Sequence, residues 1–371
     1  MNIVYFTHSL RSCWNHGNAH FVRGVLSELA RRGHRVRAPE RTGNWSSDNL
    51  RRDHGEAALN AMRAAYPELV PELYDGDADL EALVDGADLV VVHEWNERAL
   101  VRKLGELRRA GGTFMLLFHD THHRAISAPH EIDQFEFDGY DGVLAFGEAL
   151  SEVYRKRGWG RHVWTWHEAA DTRRFKPPEG AEDAQDREGL IWIGNWGDGE
   201  RTQELERFLF APARQAGLPL DVYGVRYPAE ARALLDRYGA GYRGWTANAD
   251  VPARFAAHMA TVHVPRRFYT QSLPGIPTIR MFEALACGIP LVSAPWSDSE
   301  NLFRQGTDYL QAKDGETMTA HLKALKNEPE LRRSLSACGL ETVRRRHSCA
   351  HRADELLAIH RSLAQKERSA A

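Results

Sequence analysis

The stretch GIPTIRMFEALACGIPLVSAPW, residues 275–296, sets the reading of the whole chain. Gly275 loosens the backbone before Pro277, whose fixed φ suits the first position of a helix, and Cys287-Gly288 ends that helix before the apolar run IPLVSA. The order is loop, helix, strand. Ile279, Phe282 and Leu285/Ala286 recur at helical spacing and make a buried face, while Arg280 and Glu283, three apart, share the opposite one. A helix that begins after a glycine-containing loop presents unbonded N–H groups and the positive end of its dipole, an arrangement that attracts a diphosphate. One turn further in, Glu283 can accept both hydrogen bonds of a ribose diol. The plainer reading of the same pattern is a buried helix with one solvated Arg/Glu pair.

Outward from this stretch the alternation of strand and helix continues in both directions. Upstream come LIWIG (190–194), a helix over 201–216, LDVYG (220–224), a helix over 229–238 and MATVHVP (259–265). Downstream of IPLVSA come helices, the last over 350–365. Further upstream, HEAADTRRFKPPEGAEDAQDREG is polar, charged and broken by Pro177-Pro178, as an interdomain connection should be. Before it lie the strands DLVVVHEW (88–95), TFMLLFH (113–119), DGVLAF (141–146) and a short one over 162–166, with helices over 97–110 and 148–157. The chain opens with a strand over 3–7, the loop HSLRSCWNHGN, a helix over 19–32 closed by Gly33, and the strand HRVRA. That is a Rossmann-like opening, although its spacing departs from G-x-G-x-x-G and claims no dinucleotide. Residues 42–79 yield only a helix over 56–65 and punctuation at Pro67 and Pro71. Near-continuous apolar strands separated by helices mean parallel sheets covered on both faces. The expectation is an α/β chain of two Rossmann-like domains, 1–170 and 171–349.

The run EALACGIPLVSA resembles the nucleotide-binding signature of group 1 (retaining, family 4) GT-B glycosyltransferases, and the form GIPTIRMFEALACG is similar to the CgeB-like branch of that group. AADTRRFKP and ELARRGHRV are also similar to recurring segments of the family. The resemblance implies two domains facing across a cleft, nucleotide sugar on the second and acceptor on the first, with the last helix (350–371) crossing back to the first. The family pattern has two glutamates eight positions apart, the second bonding the nucleotide ribose and the first contacting the donor sugar. Glu283 matches the second; the first is replaced by Gly275, which leaves the stereochemistry open between the family's retention and inversion. On the same resemblance Ile276, Thr278 and Arg280 join the donor site, and Glu300 stands where the family often has a glutamate near the donor. In the loop GNWGDGERTQ the family carries an Arg and a Lys on the phosphates; Asn195 and Arg201 stand there instead. Arg266-Arg267, at the end of the strand MATVHV, are placed to supply the missing charge. Trp245 is placed either to flank the base or to pack.

In the first domain, TFMLLFH runs into HDTHH, so His119 and Asp120 sit at a strand end. The resemblance implies that His119 contacts the donor sugar; a His paired with an Asp also suits a general base if the enzyme inverts. His119, His122 and His123 with Asp120 are the alternative metal set, but no HExxH-type spacing supports it, so no metal or other cofactor is expected. Asn15, His16, Gly17, Asn18, His93, Glu94, His122, His167 and Glu168 are the remaining candidates for acceptor or sugar contacts.

The 371 residues, 43% hydrophobic, are enough for two cores. A net charge of −3 gives no general pull toward nucleic acid or anionic membrane. The four cysteines, Cys13, Cys287, Cys338 and Cys349, form no CxxC pair and fit a reducing cytoplasm. No signal-peptide pattern and no 18-residue apolar run is present, so the expected chain is soluble and cytoplasmic. The expected partners are a nucleotide sugar and a small-molecule or glycan acceptor, with no nucleic acid; the oligomeric state is open. No GxSxG elbow, P-loop or kinase signature occurs. Two other functions share the architecture: a nucleotide-sugar epimerase or hydrolase, and a nucleotide-sugar-binding protein without catalysis.

Overall fold

The computed structural model describes residues 1–15, 17–179, 187–196 and 199–370. The chain forms two compact units, Met1–Glu168 with Cys349–Ala371, and Ala169–Ser348.

The first unit is built on a seven-stranded parallel sheet: β1 (Asn2–Phe6), β2 (Arg35–Arg41), β3 (Pro71–Tyr74), β4 (Leu89–His93), β5 (Met115–Asp120), β6 (Gly142–Ala145) and β7 (Val163–Thr165). Its order is β3-β2-β1-β4-β5-β6-β7, so the winding reverses between β1 and β4. Every residue of β4 and β5 is buried, because helices cover both faces and leave no polar side to the sheet. The last helix, Cys349–Ala370, lies on the helix Ala19–Arg31. Arg32 pairs with Asp354 at 2.5 Å, and the Trp166 indole N–H donates to the Arg352 carbonyl at 3.0 Å.

The second unit holds β8 (Leu190–Ile193), β9 (Leu220–Tyr223), β10 (Gly241–Gly244), β11 (Ala260–His263), β12 (Leu291–Ser293) and β13 (Leu310–Gln311), all parallel. Their order, β10-β9-β8-β11-β12-β13, reverses between β8 and β11. In open α/β sheets ligands bind outside the carboxyl ends of the strands at such a reversal.

Several elements differ from the sequence reading. Residues 42–79 contain a helix, Trp45–His54, and the edge strand β3, which starts at Pro71. An edge strand tolerates proline because one side of its backbone has no ladder partner. The helix expected over 201–216 is interrupted by one π-turn, Glu206–Phe210, which ends two residues before Pro212, whose missing N–H cannot close an ordinary turn. The polar, glycine-flanked strand β10 carried no apolar signal. Pro277 is not the first helical residue: the helix runs Ile279–Ala286 with Thr278 as its N-cap.

Candidate active site

In the second unit the loop before Ile279–Ala286 is fixed from within. Gly275 has φ of 91°, a left-handed conformation that a side chain would strain, and the Ile276 carbonyl accepts the Trp296 indole N–H at 3.2 Å. Thr278 gives no side-chain cap; the Met281 amide closes on the Thr278 carbonyl at 3.0 Å, and the Ile279 and Arg280 amides are left for an acceptor from elsewhere. Glu283 is fully buried, and its carboxylate forms an ion pair with Arg280, a quarter exposed on the same helix face. A charged acceptor thus sits one turn inside a helix whose positive end is open.

Arg201 occupies the reversal of the sheet. It donates to the Val264 carbonyl, just past β11, at 2.8 Å and to the Asn195 carbonyl, just past β8, at 2.9 Å. Burial and the Arg266 charge lower its pKa to about 10. Arg201 is therefore a clamp between two strand ends, with two N–H groups committed to backbone. Asn195 turns its side chain to the Val225 amide at 2.9 Å, tying in the end of β9. Arg267 grips Glu204 at 2.7 and 3.0 Å, and Arg266 lies 3.7 Å from Glu200. Their positive charge is partly answered by neighbouring carboxylates. Trp245 is half-buried just after β10, ahead of a 3₁₀ turn that begins at Asn248 and runs into the helix Val251–Ala256. Glu300 packs over Gly275: a β-carbon built on Gly275 would stand 3.4 Å from Glu300 Oε1 and 2.3 Å from Ser299 Oγ.

In the first unit, His119 is buried in an aromatic box of Phe21, His93 and Trp166, with ring centroids 6.1, 5.5 and 4.8 Å away. Its Nδ1 shares a hydrogen bond with the Tyr5 hydroxyl, and its Nε2 has no partner among the described residues. Burial lowers its pKa to about 3. Asp120 does not orient it. In a parallel strand successive side chains point to opposite faces, and Asp120 instead accepts the Tyr154 hydroxyl at 2.7 Å and the His122 amide at 2.9 Å. His122 lies against His123 with ring centroids 3.9 Å apart in a tilted arrangement and edges Trp95 at 5.1 Å, and among the described residues these histidines and His119 form no metal-ligand group.

Glu94, at the end of β4, is fully buried and bound by Arg124 at 2.6 and 3.1 Å. Burial, with the Asp120 charge beside it, pushes its pKa up to about 8. His93 Nε2 reaches the Thr121 hydroxyl at 3.2 Å, and the Asn18 amide donates to the same hydroxyl at 2.6 Å, joining the first loop to the end of β5. Asn15 holds φ of 48° in that loop and Gly17 lies in its turn; His16 lies outside the described residues. His167 is half-buried, and Glu168 is buried at the end of the unit. Tyr5, Thr121, Arg124 and Tyr154 were not singled out from sequence. Single polar residues in apolar or helical runs carry no spacing signal.

Residues 201–358 match a family described as glycosyl transferase-like. The fold is similar across nearly the whole chain to sucrose-phosphate synthase from Thermosynechococcus elongatus, at 16% identity and a TM-score of 0.65, over 99% of this chain and 100% of that one. The chain has the GT-B fold of these glycosyltransferases. Anabaena HepE in complex with UDP and glucose gives a TM-score of 0.66 at 14% identity, over 98% of this chain and 100% of HepE. An alpha-glucosyltransferase in complex with UDP gives 0.69 at 12% identity, over 97% and 99%; the same enzyme has been solved with a 13-mer DNA. No curated protein sequence matches the chain. Among its described residues no helix is long and apolar enough to cross a membrane, and no three His, Cys, Asp or Glu side chains group as metal ligands.

Proposed function

We propose that this enzyme transfers a sugar from a nucleoside diphosphate sugar to an acceptor, without a metal ion and with retention, the family default. The observation that carries the reading is Glu283: a fully buried carboxylate, paired with Arg280, one turn inside a helix entered through a glycine loop. Burying a carboxylate is costly, and the chain retains one where a ribose diol would give it two donors. The open first turn and Arg280 would take the place of Mg²⁺ in stabilising the diphosphate leaving group. HepE and the alpha-glucosyltransferase were solved with UDP, which makes uridine the first base to test.

In the first unit, neutral His119, fixed through Nδ1 by Tyr5, suits a hydrogen bond from Nε2 to a sugar hydroxyl rather than proton removal at neutral pH. Glu300 would supply near the donor the carboxylate that position 275 lacks.

Product analysis tests this reading. Isotope-labelled UDP-glucose and related donors are incubated in excess EDTA with and without a pool of acceptors. Transfer predicts labelled conjugate with EDTA present and with unchanged anomeric configuration. Free sugar or an epimerised donor without any conjugate would instead mark a hydrolase or epimerase.

A further inference from the structure

A cavity of about 720 Å³ opens within the first unit at the carboxyl ends of β1 to β4. This is within the range of small-molecule sites, about 300–1,000 Å³. His8 follows β1, Trp45 opens the helix after β2, Asp75–Glu81 follow β3, and Trp95 follows β4. The strand reversal between β1 and β4 lies at its edge.

Two features define its chemistry. Trp45 and Trp95 both line it and remain 49% and 41% exposed, although large aromatic rings are usually far more buried. Each is nonetheless braced from behind. Trp14 meets Trp45 edge-on at 4.9 Å, while Arg124 lies 4.1 Å over Trp95 with His122 at 5.1 Å. They are fixed apolar plates offered to solvent. Around them stand five carboxylates, Asp75, Asp77, Asp79, Glu81 and Glu97, against three cations, Arg41, Arg102 and Lys103. The cations are engaged, Arg41 by Glu97, and Arg102 and Lys103 by Glu106 at 3.8 and 3.6 Å. Asp77 and Glu81 carry no ion pair among the described residues.

Rigid exposed indoles beside unpaired carboxylates match the two sides of a pyranose. The apolar C–H face packs on an aromatic ring, and the equatorial hydroxyls or an amino group donate to carboxylate oxygens. The same acidic excess repels a phosphate backbone, for which a binding site needs clustered Lys and Arg. We propose that this cavity binds an uncharged or amino-bearing saccharide and is the acceptor site of the transferase. The word acceptor rests on the proposed transfer; saccharide binding does not.

The full chain is applied to a printed array of neutral, amino-bearing and acidic glycans with duplex DNA alongside, and the strongest binder is measured by calorimetry. The expected result is binding of a neutral or amino-bearing glycan, weakened at least tenfold in Trp45→Ala and in Trp95→Ala. Trp95→Phe, which keeps a plate, should retain most of it, and UDP-induced thermal stabilisation should be unchanged in all three. Failure of UDP to bind any form, with glycan binding intact, would sink the donor reading and leave this one standing. No glycan binding, glycan binding that survives both alanine changes, or preference for acidic glycans or DNA overturns the proposal.

Discussion

Glu300 fills the space above the α-carbon of Gly275: a β-carbon there would lie 3.4 Å from Glu300 Oε1 and clash with Ser299 Oγ at 2.3 Å. The residue at 275 therefore leaves room for Ser299 and for a carboxylate from 300 in the space that a side chain there would take. Asn301, at φ of 53°, turns the backbone sharply beside Glu300. If Glu300 takes a hydrogen bond from the donor sugar, Glu300→Gln removes a charge-assisted contact of about 1.5–3 kcal/mol and lowers kcat/KM by roughly 10–100-fold. Steady-state kinetics with the identified donor checks this; unchanged kcat/KM would remove Glu300 from the site.

Gly275→Ala should destabilise the chain by about 1–3 kcal/mol, because the residue holds φ of 91° and the added methyl meets Ser299. Urea denaturation reads the difference directly. Equal midpoints for the two proteins would show that the loop relaxes at no cost.

The clamp role of Arg201 has its own signature. Lys at this position cannot reach both the Val264 and Asn195 carbonyls, so Arg201→Lys should cost about 1–3 kcal/mol of stability. Direct contact with phosphate predicts the opposite pattern, in which nucleotide affinity falls while the urea midpoint stays.

Much of the fold was legible because buried parallel strands are apolar runs and helices carry a 3.6-residue stripe; β4, β5 and β8 announce themselves in this way. β3 and β10 do not, since edge strands are short, half-exposed and free to use Pro, Glu, Arg and Gly. The loop and helix around Glu283 could be placed from local spacing alone. The partners of His119 and Asp120 could not, because Tyr5 and Tyr154 reach them across more than thirty residues of sequence and only sheet order brings them together. Glu300 over Gly275 likewise depends on a turn, held by Asp298 on the Leu302 and Phe303 amides, that has no periodic signature.

Stability should vary with pH in two opposing ways. His119 and His263, both held near about 3 by burial, stay neutral in the native chain, while their unfolded forms take a proton below 6.5. Their contribution is complete above 6.5 and is lost as pH falls toward 3. Glu94 runs the other way. Its proton is held in the native chain up to about 8 but leaves the unfolded chain near 4.5, so its contribution is complete below 4.5 and is lost as pH rises through 8. Glu94→Gln should therefore flatten the decline between 4.5 and 8 in urea midpoints taken across that window; an unchanged slope would contradict the assignment.

The central claim is that Glu283 and the loop before it hold a nucleoside diphosphate. Thermal unfolding of wild type and Glu283→Ala with UDP, UDP-sugars and other nucleotides, in EDTA and in Mg²⁺, tests it most directly. At about 100 times its dissociation constant a ligand adds about 2.7 kcal/mol. The account predicts a clear upward shift with one nucleotide class in EDTA, absent in Glu283→Ala. Stabilisation that survives the substitution, or that appears only with the metal, would contradict it.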